Sequence, residues 1–496
     1  MLSFRFFPYC IGLCLLSLFS CETDFDRYST DKNHLLSFST DTLSIDTILS
    51  TVGTKTYQFM VYNRNNQRLL ISSIELQGGA NSDFRINVDG MKGYQFKNVE
   101  IDKNDSIYIK VEATASHNEE SKPVLLRDYV KFITNSVQQQ VVLEAYGQDV
   151  IIMRGSIIES DSTLSNQKPY LVYDSLYVKE GATLHIQQGT TFYFYNRAEL
   201  IVAGTLQVSG ALQQPVIFRG DRLDINVNVP YDKIPGQWGG IRFKSSSYNN
   251  KIEYACIRNG LYGIDFERSE TGQLKLSISN SVITNSSHTL ISAVNCRIEG
   301  ENCEFSNAGG GLMRLTGGEY SFIHCTLANY FTWGGTSGNT VSLSNTWYDP
   351  VTNDTIPLPV SKADFLNSIL YGNYFAAGVA IYKNSGKYAE TPLQYFFNSC
   401  VLRAGDTKDN YQIIRENNGE NIINCLFDKD PAFANPGTKY DKNNPFGYDF
   451  RLDSISPARN IADIDIANHL PYDMNGISRF LDEGPDVGAY EWISRK

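Results

Sequence analysis

The chain has 496 residues, with 54 acidic and 43 basic side chains for a net charge of −11. That balance argues against a nucleic-acid partner, which needs a basic patch or stripe. With 20% charged and 12% aromatic residues, including 30 Tyr, 27 Phe and 38 Gly, the chain is neither largely disordered nor a coiled coil. At about 150 residues per domain the length predicts about three domains, unless one repeat domain absorbs most of it.

The N-terminus carries an address. Arg5 is the sole charge before Glu22, and Phe6 to Ser20 is an apolar run of 15 residues interrupted by Pro8. A membrane-spanning helix needs about 20 residues, so the run suits a secretory signal. It ends Leu18-Phe19-Ser20-Cys21. This resembles the lipobox of bacterial lipoproteins and implies cleavage before Cys21, with acyl chains on its thiol and amine. The alternative is an ordinary signal peptide with an incidental Cys. Loss of Arg5 with residues 1–20 leaves 42 basic against 54 acidic residues, or −12. Glu22, Asp24 and Asp26 resemble the surface-export signal of Bacteroidetes lipoproteins; otherwise residues 21–35 are a solvated acidic tether. The resemblance implies an outer-membrane lipoprotein anchored by lipid, surface-exposed, with a periplasm-facing orientation as the alternative.

From about Leu35 apolar residues alternate with period two, as in half-buried strands. Examples are 57–62, 70–76, 107–111, 130–133 and 141–145, separated by turn formers at Asn63–Asn66, Gly78-Gly79 and Asp102–Asp105. Short strands with no helical stretch predict a β-sandwich over 36–150. The series Val61-Tyr-Asn63, Leu70-Ile71, Ile74-Glu-Leu76, Phe132-Ile-Thr-Asn135 and Ala145-Tyr-Gly147-Gln148 resembles immunoglobulin-like domains of bacterial surface proteins related to the abnormal-spindle and hydin repeats. The usual role of such a module is a spacer, with binding as the other role.

Residues 151–496 follow a different rule. Pairs such as Leu176/Val178, Leu184/Ile186, Phe192/Phe194 and Leu200/Val202 are punctuated by Gly181, Gly189 and Gly204. Three short strands per roughly 24 residues make one turn of a parallel β-helix. Gln237-Trp238-Gly239-Gly240 resumes the pattern after an insertion at about 221–236. Six-residue windows then begin at Tyr254, Asn280, Asn302, His324, Ser344, Asn367, Asn398 and Asn424. Their second residue is small in most (Ala255, Ser281, Cys303, Cys325, Asn345, Ser368, Ser399, Cys425). Their fourth is large and apolar (Ile257, Ile283, Phe305, Leu327, Trp347, Leu370, Val401, Phe427). Positions two apart share a strand face, so both are expected to point inward. Asn at the first position is expected to form a side-chain ladder inside the coil or at a turn. The repeat resembles right-handed parallel β-helix proteins of the pectin-lyase-like superfamily. The fold expected is therefore all-β: an immunoglobulin-like β-sandwich followed by a right-handed parallel β-helix.

The closing series Asp430-Pro431-Ala-Phe433, Asp449-Phe450-Arg-Leu452, Ser456-Pro457-Ala458, Asp473-Met-Asn475-Gly476-Ile-Ser-Arg479 and Asp486-Val-Gly488-Ala489-Tyr490-Glu491 resembles the end of many bacterial surface β-helix proteins. From about 430 it is expected to fold over the last coil and cap its open edge. Asp473, Asp486 and Glu491 could instead bind calcium, although the full spacing of a calcium loop is missing.

Six cysteines follow Cys21: Cys256, Cys296, Cys303, Cys325, Cys400 and Cys425. An even count in an exported chain suggests disulfides, yet three of these occupy small inward positions where a thiol serves as a small hydrophobe. Enzymes on the resembled fold cut acidic polysaccharides. Hydrolases pair carboxylates on neighbouring coils, and lyases use a base, often Arg or Lys, with calcium or another group to neutralise the uronate. The outward third and fifth window positions supply no carboxylate pair on adjacent coils; Arg258 and Glu304 are separated by a coil. Asp265, Glu267 and Arg268 read as loop charges, and His324 as structural. Gly309-Gly310-Gly311 lacks the Lys-Ser/Thr of a phosphate loop. Tyr330 and Trp333 lie in an aromatic loop that could stack on sugars or pack the coil edge. The reading is a non-catalytic, monomeric surface lipoprotein binding a polysaccharide or a partner protein. The alternative is a polysaccharide lyase or glycoside hydrolase.

Overall fold

The computed structural model describes residues 27–494, except 224, 227–228, 336, 374–377, 383–385, 405–416 and 438–446. The signal segment 1–20, Cys21, Glu22, Asp24 and Asp26 lie outside the described residues. The chain is all-β and divides into two compact units between Asp149 and Val150.

The first unit is an immunoglobulin-like sandwich. One sheet orders Ser37–Phe38, Tyr57–Tyr62, Ser106–Ala113, Phe84–Val88 and Met91–Gly93, all antiparallel. The other orders Thr42–Leu49, Val137–Gln148, Val124–Thr134, Leu69–Leu76 and Gln95–Ile101, with only the first pair parallel. Alternation sends Ile107, Ile109 and Val111 into a core shared with Phe59, Ile74 and Phe132. Asn63 is buried, and its Nδ2 donates to the carbonyls of Gln67, Ile101 and Asp102 at 2.8, 3.2 and 2.9 Å. That amide, with the backbone bonds from Asn63 N to the Asp105 carbonyl and from Asn104 N to the Asn65 carbonyl, pins the polar turns at 63–66 and 102–105 together.

The second unit is a parallel β-helix with three faces. Face one carries Thr191–Phe194, Val216–Gly220, Ala255–Arg258, Val282–Ser286, Glu304–Ala308, Thr326–Asn329, Ile369–Gly372, Val401–Leu402 and Leu426–Phe427. Face two carries Glu199–Val202, Gly240–Phe243, Ile264–Phe266, Ile291–Val294, Met313–Thr316, Val341–Ser344 and Val379–Tyr382. Face three is a ten-stranded sheet from Ser162–Leu164 to Ile422–Ile423. The long strand Tyr170–Val178 pairs with both face one and face two. Inside, like side chains stack from coil to coil: Phe192 on Phe218 at 5.2 Å, Phe194 on Trp238 at 4.3 Å, and Phe322 on Phe365 at 5.3 Å.

The corner before face one explains the recurring Asn. Tyr254, Asn280, Asn302, His324, Asn367, Ser399 and Asn424 all have φ between 46° and 54°. Asn tolerates this left-handed conformation better than most residues, because its short amide bonds locally. Except for Ala255, the residue after each corner shares one task. Ser281 and Ser368 donate Oγ–H to the carbonyls of Ser279 and Leu366 at 2.7 and 2.8 Å. Cys303, Cys325, Cys400 and Cys425 reach the equivalent carbonyls two residues back at 3.2, 3.4, 3.3 and 3.3 Å. All six cysteines from Cys256 onward are free, and all but Cys256 are buried. Serine can therefore take the place of cysteine here, whereas Ser281 and Ser368 also accept from Ala255 N and Cys325 N, both at 3.0 Å. Cys325→Ser is expected to unfold in denaturant within about 1 kcal/mol of the parent. Cys325→Val removes the thiol's bond and leaves the Ile323 carbonyl with the Asn302 N–H alone, which should cost about 0.5–1.5 kcal/mol more than the Ser variant. Equal losses for the two variants would refute this role.

Two windows are corrected. Thr326 pairs with Ile369, so the coil runs from 324 directly to 367. The intervening Thr346–Tyr348 forms an antiparallel hairpin with Thr355–Pro357, so Asn345 and Trp347 occupy no ladder position. The Arg268 guanidinium lies over the Trp347 ring at 5.6 Å. Ile369 pairs with Val401 and Leu370 with Leu402, which makes Ser399 the corner, Cys400 the small residue and Leu402 the inward one.

The C-terminal segment does not simply close the last coil. It runs along face one as a strap. Phe433, Phe450, Leu452, Met474, Val487 and Tyr490 form a second core against Ala328, Tyr330, Ile369, Tyr371 and Val401. The corner amides are its rail. Asn302 Nδ2 donates to the Tyr472 carbonyl at 2.9 Å, and Asn367 exchanges two bonds with the Asp463 backbone at 2.8 and 2.9 Å. Asn398 Nδ2 reaches Asp463 Oδ2 at 2.9 Å. Gly488 has φ +104°, and a Cβ there would sit 2.7 Å from Thr326 Oγ1. The strap thus approaches the coils where no side chain fits.

Candidate functional site

The strap settles the fate of face one. Glu304 is buried; Tyr490 donates its hydroxyl to Glu304 Oε2 at 2.5 Å and Ser306 donates to Oε1 at 2.7 Å. Burial pushes the Glu304 carboxyl up, against these two hydrogen bonds. Arg258 and Glu304 therefore share no open cleft. Tyr330 is 9% exposed and packs edge-on against Phe433 at 5.9 Å, so it offers no platform for a sugar. Trp333 is half-buried in the loop that continues to Gly335. His324 is buried and accepts a hydrogen bond from Asn367 Nδ2 at 3.0 Å, a structural role.

At Asp473, Asp486 and Glu491, the alternative site for calcium, the protein places a cation of its own. The cation among them is Arg479, which is fully buried and donates to Glu491 Oε2 at 3.1 Å and to Asn302 Oδ1 at 2.9 Å. Asp473 accepts from the backbone of Asn475, Ile477 and Glu491, and Asp486 from that of Asn460 and Trp492. Arg479 and these backbone donors thus supply the positive partners of the three carboxylates. Among the described residues no group of three or more His, Cys, Asp or Glu side chains is placed to hold one.

The open groove lies on face two, with a volume of about 730 Å³. Its floor is a row of outward side chains in register across successive coils, Asp265, Ser292, Arg314 and Ser342, and Arg242 continues the row beyond one end of the groove. Each lies between two inward apolar neighbours, such as Ile264 and Phe266 or Met313 and Leu315, whose burial forces it outward. Asp265 is thus a strand residue of the floor, not a loop charge as expected. Glu267 follows the strand and is bonded to Lys244.

One wall is built on Tyr262. Its hydroxyl donates to Glu199 Oε1 at 2.6 Å and accepts from Arg242 Nη2 at 2.9 Å. Arg242 also reaches Glu199 Oε1 at 3.1 Å and lies 4.0 Å from Asp265. The ring rests on Gly240, where φ is +126° and a Cβ would come within 2.6 Å of it. Burial pushes the Asp265 carboxyl up, against Arg242, Arg314 and a hydrogen bond from Ser292. Arg314 is exposed, with Nη2 3.4 Å from Ser292 Oγ. His288 projects from the rim with Nδ1 3.0 Å from Ser287 Oγ. At the far rim the Gly309–Gly311 run stacks backbone against backbone. A Cβ on Gly338 would lie 2.0 Å from the Gly310 carbonyl oxygen. These glycines serve close packing of rim loops.

Sequence reasoning missed the groove because it followed the Asn-marked windows, which all lie on face one. A signal was present. An outward residue sits between two apolar ones in Ile241-Arg-Phe243, Ile264-Asp-Phe266, Ile291-Ser-Ala293, Met313-Arg-Leu315 and Val341-Ser-Leu343. The fold and groove together define a parallel β-helix protein with a polar groove on one flank. No family model and no curated protein matches the chain. Similar solved structures include the VesB protease of Vibrio cholerae, with 11% identity and TM-score 0.17 over 24% of this chain and 33% of that one. A family 123 glycoside hydrolase from Clostridium perfringens has 9% identity and TM-score 0.17 over 25% and 26%. The ASH/PapD-like domain of human CEP192 has 4% identity and TM-score 0.16 over 23% and 85%. The match takes in about a third and a quarter of the first two proteins. Likenesses at this level carry no argument.

Proposed function

We propose that the protein is a lipid-anchored outer-membrane lipoprotein of the Bacteroidetes type, exposed at the cell surface, whose pectin-lyase-like β-helix binds a glycan without cleaving it. The observation that carries the reading is the face-two groove, whose floor draws polar side chains from four successive coils but contains one carboxylate, Asp265. Hydrolysis of a glycosidic bond needs two carboxyls about 5–9.5 Å apart across the bond. Glu199, behind the wall, is engaged by Tyr262 and Arg242. The anchor rests on Leu18-Phe19-Ser20-Cys21, and the sandwich acts as a spacer between anchor and groove.

The test incubates the purified chain from residue 22 with a polysaccharide panel, with and without calcium. Retention on a glycan without new chain ends is expected. New reducing ends or unsaturated uronates would establish the lyase or hydrolase instead. Protease shaving of intact cells addresses the surface placement, and full protection of the chain would refute it.

A further inference from the structure

Resting on that reading, we infer that the groove selects a neutral, hydroxyl-rich glycan lying along the coil axis, one sugar unit per coil, and rejects polyanionic chains. The strands of the floor are in register, so Asp265, Ser292, Arg314 and Ser342, with Arg242 next in the row beyond the end of the groove, repeat at the strand spacing of about 4.8 Å. The rise of one pyranose unit in an extended glycan is close to that spacing. A chain running along the axis therefore meets one floor residue per unit.

A polyanion would place a charge over each of these residues. Arg242 is already balanced by Glu199 at 3.1 Å and Asp265 at 4.0 Å. Within the groove the charged side chains are Asp265 and the exposed Arg314, which offset one another, so the floor offers a polyanion no net positive charge. Asp265 stands between the two arginines, half-buried, where solvent and salt screen its repulsion of a uronate or sulfate only partly. Neutral hydroxyls fit the same row. The carboxylate accepts from two of them, the guanidinium donates, and the serine hydroxyls do either.

The experiment titrates the folded chain from residue 22 with neutral oligosaccharides of increasing length and with uronate and sulfated oligomers, at low and high salt. Neutral chains are expected to bind with little salt dependence and to gain affinity up to about four units, one per floor strand. Asp265→Asn and Arg314→Gln are each expected to weaken that binding roughly ten- to hundredfold. Asp265→Asn should also admit uronate chains that the parent rejects. Parent binding of uronate or sulfated oligomers as tight as that of neutral ones overturns the inference while leaving the glycan reading intact. Binding of neither class overturns both. Thermal unfolding of the two variants separates a lost contact from a lost fold.

Discussion

Arg479→Met is expected to lower the unfolding free energy by about 3–5 kcal/mol, the cost of breaking a buried ion pair from one side. The guanidinium is fully buried and bonds Glu491, Asn302 and the carbonyls of Asp486 and Gly488, so one side chain joins three parts of the strap to a coil corner. Methionine fills much of the volume but leaves the Glu491 carboxylate buried without its cation. Limited proteolysis should then cut within 447–494 while the coils resist. Adding Glu491→Gln should recover part of the loss, because the orphaned charge is removed. An unchanged denaturation midpoint and a strap as protected as in the parent would refute the clasp.

Trp238→Ala is expected to cost about 3–5 kcal/mol, the range for truncating a buried aromatic residue. The indole is fully buried on Phe194 and donates Nε1–H to the Arg258 carbonyl at 2.8 Å. Its own carbonyl accepts from Leu261 N at 2.6 Å, and Gly239 accepts from Tyr262 N at 3.2 Å. The ring therefore supports the turn that presents the Tyr262 wall. The variant should lose glycan affinity as well as stability, whereas Trp238→Phe should retain more of both. Equal stability of Trp238→Ala and the parent in a denaturant titration would contradict the stacking argument.

The coils were legible in the sequence because inward positions repeat small and large residues at strand period. That pattern is local, and it failed where register is decided by neighbours. Asn345 and Trp347 satisfy it inside a hairpin. Around Asn398, both Val401 and Leu402 are large and apolar, so only pairing with Ile369 and Leu370 fixes the frame. The groove and strap were less legible for a related reason. Nothing in Asp265 or Arg314 alone marks a shared floor, which arises from pairings 22 to 28 residues apart. The carboxylates at 473, 486 and 491 looked like metal ligands until Arg479, distant from none of them in sequence, was seen at their centre.

The strap also has a kinetic consequence. Each coil completes its pairing with a neighbour a few tens of residues away, so the stack can grow by short steps. Arg479 must find Asn302 across 177 residues, and Tyr490 must find Glu304 across 186. Those contacts require a corner rail that exists only once the coils are built, so the clasp closes late on the folding route. Bonds formed after the transition state slow unfolding more than they speed folding. The C-terminal segment thus acts chiefly on how long the folded molecule persists, by holding shut the flank from which the stack would otherwise begin to open.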